Sequence, residues 1–186
     1  MRLTIIGPRS IGKTSVARIL SKKLKLKHIE SDKLIDRELK NYGGLEKCWR
    51  EQKNRLIMQT GIKTCKKLAS KDNIILDLAA GSITSKWEEI NKKNIMLIKN
   101  NSIVIGLLPF PEEYKSEEIL YKREIKRPHF NCIKKIKLKN KIKKDYRRIK
   151  KKLLRISDIL IYTRSSNPES IANELKKKIC LLNGAK

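Results

Sequence analysis

Short aliphatic, β-branched runs alternate along the chain with longer stretches whose apolar positions recur every three or four residues. Arg2-Leu-Thr-Ile-Ile-Gly7 is a β-branched run ending in glycine, and from Thr14 to Lys25 the residues Val16, Ile19, Leu20 and Leu24 fall at helical spacing. The chain therefore opens as strand, tight loop and helix. Lys27 to Glu30 predicts a second strand, followed by a helix from about Asp32 to Leu39 and a turn at Asn41-Tyr-Gly-Gly44. A long helical stretch is expected over roughly Leu45 to Ala69, bent or broken near Gly61. Asn73 to Asp77 reads as a buried strand, and Leu78 to Ser82 as a loop of small residues that lets a ligand approach the backbone. A helix through Trp87 to about Asn94 leads to a fourth strand, Ser102 to Leu108, closed by Pro109 and Pro111. Ile159 to Tyr162 is a fifth strand, and Asn167-Pro168-Glu-Ser170 caps a last amphipathic helix carrying Ile171, Leu175, Ile179 and Leu182. Strands alternating with helices imply an α/β fold with a parallel sheet and right-handed crossovers.

Length and composition narrow this picture. The 186 residues suit one domain spanning 1–186, and 39% hydrophobic residues with only 5% aromatics describe a core of Ile and Leu with few rings for stacking on bases. The net charge of +27 would attract phosphates, nucleic acid or an anionic membrane surface. Most of it is lysine spread along the chain among Ile and Asn, a pattern that a codon bias toward A and T also produces. Lys115 to Lys152 concentrates the charge, with 17 Lys or Arg against 4 Asp or Glu, and reads as a mobile, basic segment. Nucleic acid binding through it is the less favoured reading, because charge without a recognition motif is weak evidence. Cys48, Cys65, Cys132 and Cys180 lie far apart without metal-ligand spacing and are expected to be free thiols. The absence of a cleavable signal or a long apolar run points to a cytoplasmic, non-membrane protein, which we expect to be a monomer.

The sharpest chemical signal is Gly7-Pro-Arg-Ser-Ile-Gly-Lys-Thr14, a full GxxxxGK[ST] match between a strand and an amphipathic helix. Glycines let the backbone curl so that successive N–H groups point at phosphates, and the helix adds its positive end. Lys13 should reach the β- and γ-phosphates of ATP, and the Thr14 hydroxyl should ligate Mg²⁺. Asp32, just beyond the second strand, can orient or deprotonate a hydroxyl that attacks the γ-phosphate, or else it or Ser31 simply caps the next helix. Asp77, at the end of the third strand, either binds Mg²⁺ through water or is a solvated strand end.

With these pieces in order, the sequence resembles the shikimate kinase family of nucleoside-monophosphate-kinase-like enzymes over its full length. Glu30-Ser31-Asp32 matches the family's DxD-like element, Cys48-Trp49-Arg50-Glu51 its FR pair, Ala79-Ala80-Gly81 its Gly-Gly-Gly loop, and Arg127-Pro128 its lid RP pair. The resemblance implies a five-stranded parallel sheet in the order 2-3-1-4-5, flanked by helices, with a mobile lid at about residues 112–135. It implies transfer of the ATP γ-phosphate to a hydroxyl of shikimate, in the biosynthesis of aromatic amino acids. Lys13, Asp32 and Arg127 would be catalytic; Ser10, Ile11, Gly12, Lys13, Thr14, Ser15, Arg127 and Pro168 would hold the nucleotide. Asp32, Arg50, Ala80, Gly81 and Arg148 would surround the acceptor, with Arg55 an alternative to Arg50. Thr14 would hold Mg²⁺, with Glu30 or Asp77 reaching it through water. Two departures stand out: alanines at 79 and 80, and Ile149 where the family has its second carboxylate-binding Arg, for which Arg148 or Lys150 could substitute, Arg148 being favoured because only Arg offers a fork. They leave open a same-fold kinase for a nucleotide or another metabolite, or a basic module that binds nucleotide without catalysis.

Overall fold

The computed structural model describes residues 1–126 and 135–184. Its strands are β1 (Arg2–Ile6), β2 (Lys27–Glu30), β3 (Ile74–Leu78), β4 (Ile103–Leu108) and β5 (Ile159–Tyr162). The helices are α1 (Lys13–Leu24), α2 (Ser31–Glu38), α3 (Gly44–Arg50), α4 (Asn54–Ala69), α5 (Gly81–Thr84), α6 (Glu88–Asn101), α7 (Glu113–Glu124), α8 (Lys135–Ile156) and α9 (Pro168–Gly184). All strand pairs are parallel and the order is β2-β3-β1-β4-β5. The strand order reverses around β1, so a crevice opens beyond its carboxyl end, the position at which open parallel sheets bind ligands.

Both faces of the sheet are covered, as a parallel sheet requires. Leu3 and Ile5 of β1 pack with α1 and α9 through Val16, Leu20, Leu175 and Ile179. Ile6 faces the other way, into a second core with Leu68, Ile98, Leu120 and Tyr146 from α4, α6, α7 and α8. A small third cluster, Ile35, Leu39, Cys48 and Ile57, ties α2, α3 and α4 together beside the sheet.

Three sequence expectations need correction. The helical stretch 45–69 breaks at Glu51 to Lys53, where Gln52 takes φ 54° and the Lys53 N–H donates to Cys48 O at 2.9 Å. Gly61 does not break it; this residue lies within α4, facing Ile35 at ordinary contact distance. The helix expected to end near Asn94 runs to Asn101. Buried Asn91 and Asn94 occupy core-facing positions there and interrupt the apolar stripe, Asn91 Nδ2 bonding Ser85 O at 2.9 Å and Asn94 Nδ2 bonding Ser82 O at 2.7 Å.

The third correction concerns the basic segment. Its described residues are mostly regular helix, α7 and α8. Ile142, Tyr146, Ile149, Leu153 and Ile156 form a stripe along α8 that enters the second core, and Leu138 one turn earlier is also buried. Burial of each such side chain contributes about 1.5–3 kcal/mol, whereas a like-charge pair one turn apart costs about 0.2–0.5 kcal/mol, so the stripe outweighs the lysines around it. Among the described residues no helix is long and apolar enough to cross a membrane.

Candidate active site

β1 delivers Gly7 against β4, where a Cβ would stand 2.6 Å from Leu107 O, so only glycine fits. The loop then descends into the core through Ile11, 3% exposed, and turns at Gly12 with φ 99°. Lys13 opens α1 and folds back across the loop, its Nζ donating to Gly7 O at 3.1 Å and Pro8 O at 3.2 Å. No side chain caps α1 and no acidic residue occupies its first turn, which leaves the positive helix end for an anion. Ser15, the next residue of the motif's helix, is exposed.

The carboxyl ends of β2 and β3 bring acids to this loop. Glu30 and Asp77 are partners in the β2–β3 register. Asp77 is 7% exposed, and its Oδ2 accepts the Thr14 hydroxyl at 2.5 Å, so it is not a solvated strand end. Glu30 Oε1 lies 2.7 Å from Lys33 Nζ. Asp32 does not cap α2, whose cap position is Glu30 without a side-chain hydrogen bond. Its carboxyl is pushed above the ordinary aspartate range first by the protein around it; Lys13 opposes this, Asp77 adds to it, Arg9 opposes and Glu30 adds. Asp32 is exposed, and the charge of the loop's Lys13 reaches it. Between the two acids of the Glu-Ser-Asp element, Ser31 is buried and its hydroxyl accepts the Ala79 N–H at 3.1 Å. That bond fixes the small-residue loop beside α2.

In that loop Ala80 has φ −55°, a conformation open to any L-residue, so its methyl is accommodated without strain. Gly81 starts α5, and nothing lies within 4 Å of where its Cβ would be. The expected loop through Ser82 is thus only two residues long before the helix begins.

The arginines proposed for the acceptor are less drawn together. Arg50 is exposed at the end of α3, where its charge acts on neighbouring Glu51. The adjacent Trp49 instead approaches the phosphate loop, its ring centroid 5.1 Å from the Arg9 guanidinium carbon. Arg55 lines an open groove of about 510 Å³ between α4 and α6, with Gln59, Trp87 and Lys93. Ile149 is 1% exposed, part of the α8 core stripe. Of its neighbours, Lys150 Nζ is held 3.2 Å from Glu113 Oε1, while Arg148 is exposed and acts on Asp145 together with Arg9. Pro168 opens α9 beyond the carboxyl end of β5, and Asn167 Oδ1 caps the helix by accepting the Ser170 N–H at 2.8 Å. Arg127 and Pro128 lie outside the described residues.

Sequence reasoning passed over Arg9, Trp49, Glu124 and Asp145. Arg9 sits at an unspecified position of the motif, and Trp49 adjoins the Arg that drew attention. Glu124 and Asp145 are two of the four acids in the basic stretch 115–152, and their rarity there was the available signal.

A phosphate loop joining β1 to α1 in a 2-3-1-4-5 parallel sheet defines the fold of the phosphate-loop small-molecule kinases. The shikimate kinase family model matches residues 9–180, and the chain belongs to that family of phosphotransferases. The structure is similar to a shikimate kinase from Acinetobacter baumannii solved in complex with shikimate, at 20% identity and TM-score 0.76, covering 100% of this chain and 95% of that one. A shikimate kinase from Bacteroides thetaiotaomicron is also similar, at 14% identity and TM-score 0.74, covering 96% of this chain and 98% of that one. A deoxyadenosine kinase from M. mycoides follows at 16% identity and TM-score 0.58, covering 96% and 98%. Among curated proteins none matches the sequence.

Proposed function

We propose that the chain transfers the γ-phosphoryl group of ATP to a hydroxyl of shikimate, with Mg²⁺. The observation that carries this reading is the meeting of Lys13, Thr14, Asp77 and Asp32 at the carboxyl edge of the sheet, in a chain of the shikimate kinase family. The phosphate loop residues Ser10 to Ser15 wrap the nucleotide phosphates, and Lys13 leaves its backbone carbonyls to reach the β- and γ-oxygens. Asp32 orients the acceptor hydroxyl and takes its proton as that oxygen bonds to the γ-phosphorus and the bond to the ADP oxygen breaks. A carboxyl raised toward working pH suits this exchange. Arg127 adds positive charge over the transferring group, and Pro168 borders the base.

The hydroxyl of Thr14 and the carboxylate of Asp77 are hard oxygen donors, the set that suits Mg²⁺. A cation held by these two residues would supply neutralising charge to the phosphates. Glu30 is the second carboxylate in reach of the same edge. Around the acceptor, Ala80 and Gly81 present backbone, and Arg50 and Arg148 are the forks for its carboxylate, each reaching in from an exposed position.

Burial of Ile149 favours a second reading, a same-fold kinase whose acceptor carries no carboxylate, such as a nucleotide or another metabolite. An ADP-release assay across shikimate, other polyol acids and nucleoside monophosphates separates the two. Turnover with shikimate is the expected result. Turnover with other alcohols but none with shikimate would reject the acceptor and spare the kinase.

A further inference from the structure

The last turn of α7 meets the phosphate loop through two adjacent side chains of opposite charge. Glu124 is only 3% exposed; its carboxylate accepts the Ser10 hydroxyl and lies 3.2 Å from Arg9 Nε. Arg123 Nη1 donates to Ser10 O at 3.3 Å and to Ile11 O at 3.4 Å. Two consecutive residues of α7 thereby hold the hydroxyl, two carbonyls and a guanidinium of the loop. The same Arg9 stacks on Trp49, so the loop is clasped between α3 and α7.

Two physical facts give this contact a purpose beyond packing. A carboxylate is costly to bury unless it is paired and hydrogen-bonded, and Glu124 has both kinds of partner within the phosphate loop. Ser10 has φ 59°, the left-handed conformation that strains every residue but glycine, and such a conformation persists only where surrounding contacts impose it. The contacts that impose it are those of Glu124 and Arg123. None of the roles assigned to the phosphate loop uses either residue.

We propose that Glu124 is a positioning residue for nucleotide binding: by locking Ser10 in the left-handed conformation it keeps the phosphate loop preformed, with Arg123 as its helper. Glu124 touches no reacting atom. Nucleotide affinity then depends on the docking of α7, so the helix that begins the lid region also sets the loop. This inference rests on the reading of Gly7 to Thr14 as the nucleotide site.

The test is calorimetric titration of the full chain with MgADP, alongside thermal unfolding. Glu124→Ala is expected to weaken MgADP binding about tenfold, as loss of a charged partner behind a ligating group does. Glu124→Gln, which keeps an acceptor for Ser10, should lose less. The decisive variant is Ser10→Gly combined with Glu124→Ala. Glycine adopts the left-handed conformation unaided, so the double variant should regain most of the affinity without regaining thermal stability. Binding by folded Glu124→Ala within twofold of the native protein, or a double variant no tighter than the single one, would overturn the inference. If Glu124→Ala does not fold, the same comparison is made with Glu124→Gln and its Ser10→Gly double variant, under the same criteria. A native protein that binds no MgADP would overturn the nucleotide reading and this inference with it.

Discussion

The two ends of the cleft are built to different standards. At the phosphate end nearly every functional atom is held by another: Lys13 by the loop carbonyls, Thr14 by Asp77, Ser10 by Glu124, and the loop itself by a glycine that tolerates no side chain. At the proposed acceptor end Arg50 and Arg148 stand exposed, and Ile149, beside Arg148, is buried in the core. On the proposed reading the phosphate-transfer machinery is preformed, while recognition of the acceptor falls to long side chains that order around it. Preorganisation of this kind favours the electrostatic part of catalysis, and loosely held arginines surrender rotamer freedom when they bind.

Substitutions can break this division. Asp32→Asn should have the largest effect, lowering kcat by about 10²–10⁴-fold with the KM for ATP little changed. Because the Asp32 carboxyl is raised first by its surroundings, the acid limb of kcat should lie above the ordinary aspartate range and be absent from the variant. The sign carries over to stability: a raised carboxyl contributes fully below its unfolded value, and that contribution is lost as pH rises through the folded one. At neutral pH Asp32→Asn should therefore melt at a higher temperature than the native chain, and a lower melting point would contradict the assigned environment.

Lys13→Ala should reduce kcat by about 10²–10³-fold, the scale for losing one positive donor to the transition state. Asp77→Asn should raise the Mg²⁺ concentration for half-maximal rate by about 10–100-fold, since Asp77 holds the Thr14 hydroxyl proposed as ligand. The smallest effects should fall on the acceptor side: Arg148→Ala and Arg50→Ala each raise the acceptor KM by about tenfold, the worth of one charged hydrogen bond, and leave the KM for ATP alone. A rise in the KM for ATP in either would show that the two ends are not separate.

What the sequence announced follows the same divide. The strands and the phosphate loop were legible because their signals are local: β-branched runs of fixed period, and glycines at fixed offsets. Lys13 and Thr14 at the start of α1 and Asp32 at the start of α2 were legible as positions because motif and strand end are local signals; their proposed roles are what the variants test. The break at Gln52 was hidden, since it depends on a non-glycine residue adopting positive φ, which no pattern advertises. The helical character of 135–156 was masked by lysines that crowd a sound apolar stripe. Glu124 was out of reach because its partners are more than a hundred residues away, and Ile149 read as a missing ligand until the stripe it belongs to was seen whole.

The packing of α9 on α1 bears on how the molecule comes into being. Val16, Ala17 and Leu20 on the helix that begins at Lys13 are buried by Ile171, Ala172, Leu175 and Ile179, and Lys23 Nζ lies 2.5 Å from Glu169. A helix near the beginning of the sheet's sequence is therefore covered by one that follows its fifth strand, and β1, between β3 and β4, must wait for neighbours made much later. Such distant pairings are slow to form and leave apolar surface bare in the meantime. A nascent chain halted before residue 168 should then be a poor nucleotide binder and a client for chaperones, although it carries the entire phosphate-binding motif.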